Sequence, residues 1–119
     1  MATYTKTILS GSTDGRGIKV AASSTPGTLI HTGPTNTAEL HEVWLWVTNT
    51  DTNNRKITIE WGGVGSPDDH IENYLSPESG LLLIVPGLLI KGNATPLVVR
   101  AFGSGSNSIN VFGHANVIA

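Results

Sequence analysis

The sequence predicts an all-β fold: an antiparallel β-sandwich, for which a jelly roll is one fitting arrangement, with an extended arm at the N-terminus. Two patterns carry this reading. Gly, Pro, Asn, Asp and Thr interrupt the chain at short intervals, with 14 Gly and 6 Pro among 119 residues, and helix formers are sparse. Between the interruptions apolar residues alternate with polar ones, the two-residue period of a half-buried strand. Eight to ten short strands at such spacing suit a sandwich. Neither an internal repeat nor a long linker divides the chain, so residues 1–119 form one domain.

Taken in order, Thr3–Leu9 alternates Thr with Tyr4, Lys6 and Ile8, which suits an extended arm over residues 1–9 or an edge strand. Ser10–Gly17 is a glycine-rich loop. Ile18–Ala22 and Thr28–Thr32 are short strands on either side of a Ser/Pro/Gly turn. Leu40–Asn49 is the clearest strand: Val43, Leu45 and Val47 fall on one face, and Glu42, Trp44, Trp46 and Thr48 on the other. The Asn- and Asp-rich stretch that follows breaks it, because these side chains bond their own backbone and tolerate left-handed turns. Arg55–Trp61 then alternates in the matching sense, which predicts a long antiparallel hairpin with Leu40–Asn49. Ile71–Leu75 reads as a short strand or a helical turn. Leu81–Val85 is an unbroken apolar run, which predicts a strand buried on both faces. Pro86-Gly87 fits the centre of a type II turn. Leu88–Lys91, Leu97–Phe102 and Ser108–Ile118 complete the set.

Composition narrows the function. The chain has no Cys, which removes thiol catalysis, iron–sulfur ligation and thiolate zinc sites. Charged residues make up only 13% of the chain, the net charge is -2 and the seven Lys and Arg are scattered. The basic stripe of a nucleic-acid binder is missing, so no nucleic-acid partner is expected. The start of the chain lacks the basic and apolar regions of a signal peptide, and no apolar run reaches the roughly 18 residues of a membrane span. The expectation is a chain made soluble in a cytoplasm, with no membrane partner.

The chemical motifs fail on inspection. Gly11–Gly17 lacks the Gly-Lys-Ser/Thr ending of a phosphate loop and has no helix after it. His31, His41, His70 and His114 show no zinc spacing and read as solvated or hydrogen-bonded residues. Asp68, Asp69 and Glu72, and separately Asp51, Asn53 and Asn54, miss the spacing of a calcium loop and read as acidic turns. No Gly-x-Ser-x-Gly elbow occurs. These readings predict no catalytic residues, no metal ligands and no cofactor.

The aromatics say more. Trp44 and Trp46 share one face of a strand whose other face is also apolar. Either that strand lies between two packed layers, or one of its faces meets a partner. Trp closes cores, anchors protein interfaces and forms stacking platforms for ligands. Phe112 raises the same question on the last strand. Together with Tyr4, Lys6 and Ile8 of the first segment, Trp44, Trp46 and Phe112 are the candidate interface residues.

Five segments carry a resemblance: Val47–Asp51, Lys56–Gly63, Pro77–Gly80, Val85–Leu88 and Ile109–Asn116. In pattern and composition they resemble small structural proteins of tailed bacteriophages, the head decoration or cement proteins. The resemblance covers roughly Val43 to the C-terminus. It implies a non-enzymatic virion protein on the capsid exterior, assembled in the bacterial host cytoplasm, with the major capsid protein as partner. It also implies a homo-oligomer, a trimer by preference, and an arm that adds a strand to a neighbour's sheet. A tail, neck or fibre-base component shares the same features. A carbohydrate-binding β-sandwich module, stacking sugar on Trp44, Trp46 and Trp61, is the alternative of a different class.

Overall fold

The computed structural model describes residues 2–105 and 107–119, and nine strands account for the fold. They are β1 (Tyr4–Ile8), β2 (Ile18–Lys19), β3 (Thr28–Thr32), β4 (Leu40–Asn49), β5 (Arg55–Trp61), β6 (His70–Leu75), β7 (Ser79–Lys91), β8 (Val98–Gly103) and β9 (Ile109–Ile118). They form two antiparallel sheets. The first runs β1–β9–β4–β7, with β2 pairing beside β1 on the same strand β9. The second runs β3–β8–β5–β6.

The alternation read from the sequence sets the core. Val43, Leu45, Val47, Val85, Ile109, Val111 and Ala115 of the first sheet face Ile30, Ile57, Ile59, Val99 and Ala101 of the second, and all of them are buried. At roughly 25 cal/mol per Å² of apolar surface removed from water, this shared layer is the main force joining the sheets.

The predicted hairpin of β4 and β5 does not form. β4 pairs with β9 and β7, whereas β5 pairs with β6 and β8 in the other sheet. Two strands with matching apolar faces can meet side by side or face to face across a core, and the alternation cannot distinguish the two. Asn49 decides between them. Its buried side chain donates to the carbonyls of Asn53 and Ser76, each at 3.0 Å, and accepts the Asp51 N–H at 3.0 Å. Residues 50–54 thereby arch over the end of the sandwich.

Strand β7 is the second departure. The run Leu81–Val85 is not buried on both faces, because β7 is an edge strand: Leu81, Leu82 and Leu83 are 40–57% exposed. Pro86-Gly87 is not a turn between two strands either. Both residues lie inside β7, where Val43 pairs with Leu88 and Trp44 with Pro86, leaving Gly87 as an extra residue at φ +79°. That is a β-bulge with glycine in the left-handed region. Proline is tolerated there because the strand has a free edge.

The first segment takes the edge-strand form over Tyr4–Ile8, along the C-terminal half of β9. The pairing extends past β1, since the Thr3 and Ala119 backbones exchange hydrogen bonds of 2.6 and 2.9 Å. After β1 the chain crosses to the second sheet. The Gly11 N–H donates to the Ile30 carbonyl, the Thr32 N–H to Ser10 Oγ, and Leu9 is buried. The chain then returns to the first sheet as β2. Residues 71–75 are strand rather than helical turn, and Ile18–Ala22 shortens to Ile18–Lys19.

Candidate functional site

The outer face of the first sheet gathers most of the predicted interface residues. Because β4 alternates, Glu42, Trp44 and Trp46 all point away from the core. The register of β9 sets Asn116 beside Glu42, His114 beside Trp44 and Phe112 beside Trp46. β1 adds Lys6 opposite Asn116 and Ile8 opposite His114. Three ring systems lie nearly parallel: Trp44 and Trp46 at 6.1 Å and 20°, Trp44 and His114 at 6.5 Å and 13°, Trp46 and His114 at 5.8 Å and 29°. With Lys6 and Asn116 they line a groove of about 290 Å³.

Trp44 is held on two sides. Its indole N–H donates to Glu42 Oε1 at 2.8 Å, and Asn116 Nδ2 donates to the same oxygen at 2.8 Å. The Trp44 bond, then the Asn116 bond, hold the Glu42 carboxyl below its usual range, so it stays ionised. On the other side the indole lies over Gly87, where a Cβ would come within 2.9 Å of Trp44 Cζ2. Burial, then the Lys6 charge, push the His114 imidazole below its ordinary value, while Glu42 pulls it up.

The remaining candidates fall around this groove. Tyr4 is 71% exposed and Ile8 is also exposed, both on the free edge of the sheet. Phe112 turns toward the loop before β2, where a Cβ on Gly17 would come within 2.7 Å of its ring. It lines a separate, wider groove with Thr13, Arg16, Lys19 and Asn110. The reading that the tryptophans close the core does not hold for Trp44 and Trp46, which lie outside it. It fits Trp61, half-buried against the core from the second sheet and therefore no part of a platform with the other two.

His114, Asn116 and the β7 leucines were not singled out from the sequence. Phe112, His114 and Asn116 share a face by simple alternation, but that matters only once β9 is known to lie beside β4.

Two buried polar clusters also appear. His31 Nδ1 accepts the Ser10 N–H at 3.1 Å, so its proton sits on Nε2, which donates to His41 Nδ1 at 2.8 Å. His41 Nε2 in turn faces Glu39 Oε1 at 3.3 Å. This chain ties β3 of one sheet to β4 of the other. Burial, then His41, lower the His31 pKa to about 4. On the outer face of the second sheet the fully buried Glu60 accepts from Thr25 Oγ1 at 2.5 Å and the Gly27 N–H at 2.6 Å. It thereby pins the loop between β2 and β3.

Of the carboxylate groups read as acidic turns, Asp51 accepts from Arg55 Nε at 2.8 Å and Asp69 caps the Gly65 N–H at 3.0 Å. Among the described residues no three His, Asp or Glu converge on one point. The chain matches no protein-family model and no curated protein by sequence.

Proposed function

We propose that this protein is a non-enzymatic structural virion protein that binds the outer surface of a bacteriophage capsid and ties neighbouring major capsid protein subunits together. One observation carries the reading. The edge strand β7 presents Leu81, Leu82, Leu83, Leu88 and Leu89, all 40–57% exposed, along one rim of the sandwich. The opposite edge of the same sheet adds Tyr4 and Ile8. Leu83 and Leu89 lie beside Trp46 and Glu42 on the outer face, Leu82 and Leu88 beside Val47 and Val43 on the other, and exposed apolar side chains gathered along one edge mark protein contacts. A low-charge surface suits crowding of many copies on one particle, and many weak contacts on a shell reinforce one another.

The strand orders β1–β9–β4–β7 and β3–β8–β5–β6 support the same reading. The chain changes sheet at most of its connections, which we read as the double Greek key of a jelly roll, an architecture used by viral capsid and lectin domains. Architecture alone assigns no function. β1 and β7 are different edges, so contact between them in successive copies is head-to-tail, and a rotation of one third of a turn between copies closes it as a three-membered ring. We favour a trimer, placed on the virion after assembly in the host cytoplasm.

The test is light scattering of the purified protein, followed by co-sedimentation with purified phage heads and, separately, tails. A trimer that sediments with heads, and a Leu82→Ser/Leu89→Ser variant that keeps its melting temperature but stays in the supernatant, support the proposal. Sedimentation with tails alone moves the protein to the tail, neck or fibre base. A monomer that ignores both particles overturns the proposal.

A further inference from the structure

We propose that the groove over Trp44, Trp46 and His114 binds a neutral saccharide, independently of the contacts made by the sheet edges. The argument starts from the rings. Three near-parallel aromatic rings, stacked with centroids 5.8–6.5 Å apart, form a compact apolar cluster that lines the groove. The electron-rich face of an indole attracts the weakly positive C–H groups that cover one face of a pyranose ring.

The cluster's surroundings are those that hydroxyl groups need. Glu42 Oε1 is occupied by Trp44 and Asn116, while Glu42 Oε2 has no hydrogen-bond partner among the described residues. Asn116 spends its amide N–H on Glu42, which leaves its carbonyl oxygen as an acceptor. Lys6 supplies an ammonium donor on the β1 side of the groove. Donor and acceptors thus stand beside an apolar floor, and a sugar meets both demands with one molecule.

Other occupants fit less well. A nucleic acid would bring phosphates toward the Glu42 carboxylate, and among the described residues Lys6 is the only Lys or Arg lining the groove. An apolar protein surface would strip water from Glu42 Oε2 and Lys6 Nζ without replacing it, which is costly for charged groups. A volume of about 290 Å³ lies at the small end of ligand pockets. The Trp44 ring is already fixed by Glu42 and by the close approach to Gly87, so little ordering remains to be done on binding.

The experiment follows the three indole N–H resonances by NMR while the protein is titrated to about 10 mM with hexasaccharides of β-1,4-glucose, α-1,4-glucose and β-1,4-N-acetylglucosamine. The expected result is that at least one sugar moves the Trp44 and Trp46 signals saturably, while Trp61, on the other sheet, stays still. Trp46→Ala is expected to abolish the response. Lys6→Met, on an edge strand where the fold tolerates it, is expected to weaken binding about tenfold, as loss of a charged hydrogen bond does. Thermal melts of both variants confirm that they are folded. The proposal is overturned if no sugar moves either signal, or if the shifts survive both substitutions. The Leu82→Ser/Leu89→Ser variant, which leaves the groove residues in place, is expected to keep its sugar shifts while it loses the heads, so failure of this proposal and failure of the virion reading remain separable.

Discussion

The two long sides of the sandwich close in different ways. On the β1–β3 side the chain itself stitches the sheets together. Leu9 enters the core, Ser10 and Gly11 bond to β3, and the Ser10–His31–His41–Glu39 chain runs from one sheet to the other. On the β6–β7 side, among the described residues, hydrogen bonds join the sheets where Asn49 donates to the Leu75 and Ser76 carbonyls and the Glu78 N–H to the Asp51 carbonyl. Beyond that point the β7 leucines stand exposed. One side therefore holds the fold, and the other leaves apolar side chains uncovered. The difference rests on polar groups buried in one place and apolar groups exposed in another, the reverse of the usual distribution.

Substitutions can break or sharpen this contrast. The largest effect is expected from Leu9→Ala, which empties a fully buried position on the stitched side. It should cost about 2–5 kcal/mol and lower the melting temperature by roughly 10 °C or more. The paired control is Leu82→Ser on the open side.

Next comes pH. The His31 pKa is about 4 in the folded protein, below its unfolded value near 6.5. Between these values the unfolded chain binds the extra proton, so stability rises with pH there. The contribution is complete above about pH 6.5 and is lost as pH falls toward 4, to a maximum of about 3 kcal/mol. Chemical denaturation at pH 4 and pH 7 measures it, and His31→Gln should flatten the difference. An unchanged slope in that variant would remove His31 from the stitch.

A smaller effect is expected from Gly87→Ala. The new Cβ would sit at φ +79° and close against the Trp44 ring. A cost of about 1–2 kcal/mol and a shifted tryptophan emission spectrum should accompany each other. The smallest effect is Leu82→Ser, within about 0.5 kcal/mol in the isolated protein. A large loss there would mean that the Leu82 side chain itself helps to close the core, and the contrast between the two sides would fall.

The all-β class, the strand positions and the inward faces of β4 and β5 were legible because alternation is a local property. Which strands lie side by side was not. Val43, Leu45 and Val47 and their counterparts Ile57, Ile59 and Trp61 carry the same pattern whether they pair or face each other. The edge position of β7 was hidden for a related reason, since an apolar run reads as burial whether or not the chain itself covers it. Half of the aromatic groove was visible in Trp44 and Trp46. The other half, His114, Asn116 and the locking role of Gly87, depends on register between strands distant in sequence, and a bulge looks like a turn when only Pro86 and Gly87 are read.

The reciprocal bonds between Thr3 and Ala119 place those residues about 5.5 Å apart, the spacing of a hydrogen-bonded antiparallel pair. The span from Thr3 to Ala119 thus nearly closes on itself. A few glycines would join its two ends, so a circularly permuted chain opened at the exposed Gly65 or Ser66 should keep the same sheets. By the same geometry, a cargo fused at Thr3 or at Ala119 would leave from one shared point on the β1 rim, at the end of the sheet where Leu88 and Leu89 of β7 lie.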